Sequence, residues 1–166
     1  LMIRRPPRST QSRSSAASDV YKRQNSDSVR HETIKKYRVN EKSEWIKNKK
    51  QIDENIKNSL FQIVDARSRE RFAGKIEEPR PGLKKGCIVG SKNIPFQECI
   101  DRETNTFKPK SELINIFNKN DVDISKPIVF TCGSGMTACV LGMAYSLISD
   151  KNAVIYDGSW SEYGKI

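Results

Sequence analysis

Cys132 opens the run Cys132-Gly-Ser-Gly-Met-Thr-Ala138, directly after the apolar run Ile128-Val-Phe-Thr131 and before an apolar stretch over 138–148. A strand that ends at a cysteine and turns at once into a helix aims several backbone N–H groups, backed by the helix dipole, at one point. Gly133 and Gly135 let the turn adopt positive φ without a steric penalty. Such a nest stabilises a thiolate, making Cys132 a candidate nucleophile, and would equally hold the anionic outer sulfur of a persulfide. A cysteine in an apolar helix is ordinarily a small buried hydrophobe, and that is the reading for Cys139.

The elements that must carry this loop follow from the apolar pattern. Residues 37–59 are polar and lysine-rich, with Trp45, Ile46, Ile52 and Ile56 as anchors for one or two short amphipathic helices. Leu60-Phe-Gln-Ile-Val64 suits a buried strand ending at Asp65, and 68–72 a helical turn. Residues 74–90, with Pro79, Pro81, Gly82 and Gly86, form a long loop of the kind that carries function. Asn93-Ile-Pro-Phe96 returns to the core, and 111–117 places Leu113, Ile114 and Phe117 at helical offsets. The run 128–131 is a central strand, 138–148 a helix buried on more than one face, and Ala153-Val-Ile-Tyr156 a further strand. Ser159 and Glu162 then stand at capping-box spacing. Strands alternating with helices predict an α/β fold: a central parallel sheet with helices on both faces.

Composition narrows the function classes. The 166 residues allow one ordinary domain plus a tail. Of the formal charge of +10, half resides in residues 1–24, where six Lys/Arg face Asp19 alone. The rest is spread among nineteen acidic residues, without the dense basic stripe a nucleic-acid partner requires. Segment 1–24 has the Arg/Ser-rich, acid-poor composition of a transit peptide, but also resembles a translated sequencing-library adaptor; it is read as an artefact, a disordered leader outside the fold. Residues 25–59 are assigned as a polar lead-in and 60–166 as the domain proper. Cys87, Cys99, Cys132 and Cys139 lack paired spacing, and His31 is the only histidine, so no metal and no cofactor are expected. No membrane partner is expected either, and the protein is read as soluble and intracellular.

Cys132-Gly-Ser-Gly-Met-Thr-Ala-Cys139, Tyr156-Asp-Gly-Ser-Trp160 with Glu162, Val64-Asp-Ala-Arg67, Arg71-Phe72, Glu78-Pro-Arg80 and Asn93-Ile-Pro-Phe96 occur in an order that resembles the C-terminal catalytic rhodanese domain of 3-mercaptopyruvate sulfurtransferases. The resemblance covers roughly residues 61–163. It implies a rhodanese-like three-layer fold and a double displacement. The Cys132 thiolate would take sulfur from a small-molecule donor, and a thiol acceptor such as thioredoxin, or cyanide, would remove it. By motif position, Arg71 and Arg80 would bind the donor's carboxylate and keto oxygen. Gly133, Gly135, Met136 and Thr137 would line the substrate, with Ser134 acting near the reacting sulfur. Sister thiosulfate sulfurtransferases have Arg-Lys-Gly after the cysteine, so Gly133-Ser134-Gly135 implies 3-mercaptopyruvate over thiosulfate. The family occurs in mitochondria and cytoplasm.

Two departures stand out. Two-domain members contribute an Asp and a His to a relay with the loop serine from an N-terminal half; those partners of Ser134 are not in this sequence, which is therefore expected to lack an N-terminal rhodanese-like domain. Gly86-Cys-Ile-Val-Gly90 replaces the usual Gly-His-Ile-Pro-Gly, raising Cys87 as a redox partner of Cys132. Asp65, Arg67, Trp160 and Tyr163 are read as structural. Two rival readings are a noncatalytic binding or regulatory module and a cysteine phosphatase. The latter needs an arginine at the far end of the loop, where Met136, Thr137, Ala138 and Cys139 stand.

Overall fold

A computed structural model describes residues 42–166. The expectations for the leader, for 25–41 and for His31 lie outside the described residues.

Five strands form one sheet in the order β1-β5-β4-β2-β3, every adjacent pair parallel. They are β1 (Ile46–Lys47), β2 (Gln62–Asp65), β3 (Lys92–Asn93), β4 (Ile128–Thr131) and β5 (Val154–Tyr156). Between them run α1 (Lys49–Asn58), α2 (Arg69–Phe72), α3 (Lys110–Lys119) and α4 (Met136–Ser146), and α5 (Ser159–Tyr163) follows β5. All four residues of β4 are buried, as a strand covered on both faces requires.

The period-2 alternation of the strands divides the core. Val64, Ile128 and Phe130 face α3 and α4, packing with Leu113, Phe117, Leu141 and Tyr145. Ile63, Val129 and Tyr156 face the other way, onto Ile52 of α1 and Trp160 of α5. The three-layer α/β architecture expected from the sequence is therefore present.

Three local expectations change. Ile46 joins β1 at the sheet edge rather than a helix, leaving it 56% exposed because only β5 flanks it. The sheet thus reaches upstream of Leu60, and α1 begins with a reciprocal Asn48–Gln51 capping box. Helix α4 buries Ala138, Leu141, Gly142, Ala144 and Tyr145 but turns Cys139 and Met143 outward. Cys139 is exposed, not buried, because one helical face is enough to cover the sheet. Ser159 caps no helix: it is fully buried at φ 48° and its hydroxyl reaches the cysteine loop instead.

Candidate active site

β2, β4 and β5 end side by side, with Asp65 in register with Thr131, so the segments leaving them meet at the carboxyl edge where ligands bind in α/β sheets. Cys132 leaves β4 at this edge. Its backbone N–H donates to Ser159 Oγ at 3.1 Å, and that hydroxyl donates in turn to the Tyr156 carbonyl at 2.8 Å. Trp160 N–H donates to the Cys132 carbonyl and Ser161 N–H to the Gly133 carbonyl, both at 2.9 Å. These bonds draw the loop carbonyls toward α5. On the other side the Ser134 N–H points to Cys132 Sγ at 3.4 Å. Gly135 takes φ 86° at the start of α4, and a Cβ there would lie 3.1 Å from the Asp157 carbonyl oxygen.

The loop floors a cavity of about 250 Å³, small beside the roughly 300–1,000 Å³ that drug-sized ligands occupy. Cys132, Gly133, Ser134, Met136 and Thr137 line it from the loop, and Arg71 and Arg80 line it from outside the loop. The structure thus brings together seven of the eight residues singled out from the sequence. Gly135 is the exception and shapes the turn from behind. Met136 stands at the rim, 77% exposed. Cys87 is half-buried and does not line the cavity.

The long loop contributes more than Arg80. Arg67, whose side chain is wholly buried, donates to Asp65 Oδ2 at 2.7 Å, to Glu78 Oε1 at 2.7 Å and to the Gly86 carbonyl at 2.8 Å. Its guanidinium also lies 4.5 Å above the Trp160 ring. Burial works against its charge, but the hydrogen bonds and charges of Asp65 and Glu78 prevail and hold its pKa above the ordinary arginine value. Glu78 carries the network to the cavity: Arg71 Nη2 lies 2.5 Å from Glu78 Oε2, and Arg71 Nε donates to Oε1 at 3.3 Å. Asp65 and Arg67 pair with each other, as expected. Glu78 and Ser159 are the residues whose part in the site the sequence concealed. Glu78 sits in an aperiodic loop; the motif Glu78-Pro-Arg80 and the need of nearby arginines for an acidic partner are its only signals in the sequence.

The other cysteines differ chemically. Burial, with Glu98 adding, pushes the Cys99 thiol up to about 11, and desolvation, then Cys132 and Asp157, raises that of exposed Cys139. Among the described residues no cluster of three or more His, Cys, Asp or Glu is placed to hold a metal ion, and no helix is long and apolar enough to cross a membrane. A sulfur at the floor of a small pocket, with an N–H aimed at it and guanidinium groups on the wall, suits a nucleophile acting on a small anion.

Comparison with known proteins agrees with this chemistry. The rhodanese-like domain family matches residues 48–165. The chain is 42% identical over 119 residues to 3-mercaptopyruvate sulfurtransferase of Homo sapiens, covering 72% of this chain and 40% of that protein. It is 42% identical over 113 residues to the mitochondrial thiosulfate/3-mercaptopyruvate sulfurtransferase 1 of Arabidopsis thaliana, covering 68% of this chain and 30% of that one. The chain thus spans less than half the length of these relatives. The crystal structure of SseA from Escherichia coli, a 3-mercaptopyruvate sulfotransferase by its description, superposes with a TM-score of 0.63 at 32% identity over 76% of this chain and 46% of its own. With the family matching well over half of its residues, the chain belongs to the rhodanese-like domain family.

Proposed function

We propose that the protein is a sulfurtransferase that carries sulfane sulfur as a Cys132 persulfide. The thiolate attacks the sulfur of 3-mercaptopyruvate, the new S–S bond forms as the C–S bond breaks, and pyruvate leaves as its enolate to be protonated. The donor's thiol proton remains on, or is lost from, the outer sulfur. Arg71 and Arg80 hold the donor's carboxylate and keto oxygen, since a guanidinium fork matches a carboxylate with two charge-assisted bonds. The N–H groups of the loop receive the charge of the thiolate and later of the persulfide. Ser134 and Thr137, which line the same pocket as Cys132, offer their hydroxyls to the reacting sulfur. A thiol such as that of thioredoxin, or cyanide, then attacks the outer sulfur and restores the Cys132 thiolate.

The reading rests chiefly on the Ser134 N–H directed at Cys132 Sγ inside a pocket that also holds both arginines. Preference for 3-mercaptopyruvate over thiosulfate rests on Gly133-Ser134-Gly135, where the sister thiosulfate sulfurtransferases have Arg-Lys-Gly. A Cβ on Gly133 would lie 2.8 Å from Arg71 Nη2, so a larger residue there would displace that guanidinium. A mitochondrial or cytoplasmic site belongs to the same proposal, supported by the mitochondrial designation of the Arabidopsis thaliana relative. So does an N-terminal rhodanese-like partner half that completes the relay through Ser134.

Mass spectrometry after incubation with 3-mercaptopyruvate without reductant should show one added sulfur, absent in Cys132→Ser. No adduct on the wild-type protein would refute the enzyme reading and favour a binding module. A phosphatase reading would need an arginine at the end of the loop, and that position holds Met136, Thr137, Ala138 and Cys139.

A further inference from the structure

Glu78 is a buried carboxylate between exposed neighbours, Glu77 on one side and Pro79 and Arg80 on the other; its side chain is 2% exposed and both oxygens face guanidinium groups. One partner, Arg67, cannot move: it is wholly buried and held by Asp65, the Gly86 carbonyl and the Trp160 ring. The other, Arg71, is 25% exposed, lines the cavity and approaches Gly133 so closely that a Cβ there, 2.8 Å from Nη2, would force the guanidinium to shift. The charges form a continuous chain from Asp65 at the end of β2 through Arg67 and Glu78 to Arg71. An unpinned arginine samples many rotamers, and fixing it costs entropy when substrate binds.

We propose that Glu78 is a positioning residue for the sulfurtransferase reaction: by gripping Arg71 from behind, it holds that guanidinium over the cysteine loop before the donor arrives. The inference rests on the sulfurtransferase reading given above. A division of labour follows. Asp65 and Glu78 neutralise Arg67 and Arg71 within the chain of four, so Arg71 contributes direction. Arg80, exposed, lining the same cavity and without an ion pair among the described residues, contributes the net positive charge that draws in an anionic donor.

The test is a double-mutant cycle with 3-mercaptopyruvate as donor and cyanide as acceptor, on wild type, Glu78→Gln, Arg71→Ala and the double variant, with thermal melting of each. Loss of a binding contact made equally in ground and transition states raises KM and spares kcat. Glu78→Gln should raise KM about tenfold in the wild-type background and less than about twofold in the Arg71→Ala background, a coupling within the range for neighbours in one network. Equal effects in both backgrounds, or a fall in kcat tracking the loss of folded protein with KM unchanged, would overturn the inference. Should the variant fail to fold because Arg67 loses a partner, NMR on the wild-type protein decides: the Arg71 Nε–H should exchange with water more slowly than that of Arg80, and equal exchange would overturn the clamp. A wild type that transfers no sulfur overturns the sulfurtransferase reading and the inference with it; a competent wild type with additive effects overturns the inference alone.

Discussion

Replacing Ser159 by alanine tests how the cysteine loop is held. The Ser159 hydroxyl accepts from Cys132 N–H at 3.1 Å and from Thr131 Oγ1 at 3.3 Å, and donates to the Tyr156 carbonyl at 2.8 Å. The residue is fully buried, so no water replaces the hydroxyl without local opening. Leaving the Cys132 N–H unpaired costs about 1–3 kcal/mol, the penalty for an orphaned buried donor. In a domain of this size each kcal/mol lowers the melting temperature by roughly 4 °C, so Ser159→Ala should melt about 4–12 °C below wild type. The backbone supplies an internal control. Ser159 sits at φ 48°, where a residue with a Cβ is disfavoured by about 1–2 kcal/mol and glycine is not. Ser159→Gly should therefore be less destabilised than Ser159→Ala, although both lose the hydroxyl. Differential scanning calorimetry supplies the melting temperatures, and persulfide uptake by mass spectrometry reports the loop. A Ser159→Ala protein melting within about 1 °C of wild type would refute the reasoning, as would a glycine variant worse than alanine.

Other perturbations reach different parts of the molecule. Gly133→Ala puts a methyl about 0.6 Å inside ordinary contact with Arg71 Nη2 without positive-φ strain, so stability should hardly change while kcat/KM for 3-mercaptopyruvate falls by about 3- to 100-fold; unchanged kinetics would show that Arg71 need not stand where it does. Iodoacetamide should label exposed Cys139 in the folded protein, faster as pH rises toward its raised pKa, and reach Cys99, with a thiol at about 11 and no exposure, only on unfolding; peptide mapping reads the order. Asp101 is held below its ordinary pKa by the N–H groups of Thr104 and Glu103, and Asp123 by the hydroxyl and N–H of Ser125. A depressed carboxylate stabilises the fold above its ordinary pKa and loses that contribution as pH falls through the folded value, so Asp101→Asn and Asp123→Asn should each narrow the gap between melting temperatures at pH 7 and pH 3.

Much of the fold was legible because its elements are written in local patterns. The buried run Ile128-Val-Phe-Thr131 and the glycines after Cys132 are adjacent in the chain, so strand, turn and helix are specified within a few residues. Leu113 and Phe117 kept their helical offsets and face the core. Edge strand β1 escaped notice because two residues carry no periodicity, and Ile46 became a strand only by pairing with Ile155. Cys139 departs from the expected burial for a related reason: composition marks the helix as apolar, while only packing decides which face meets the sheet.

From the sequence alone come the candidate nucleophile, its glycine turn, the α/β alternation and the residues that ring the pocket, all carried by short segments. The tertiary structure alone decides what holds them. Ser159 lies 27 residues beyond Cys132, and Glu78 lies in an aperiodic loop; both act through hydrogen bonds whose partners meet only when β2, β4 and β5 end side by side. A buried carboxylate and a buried hydroxyl leave no periodic mark on a chain, because their significance lies in the donors and acceptors that folding brings within 3 Å.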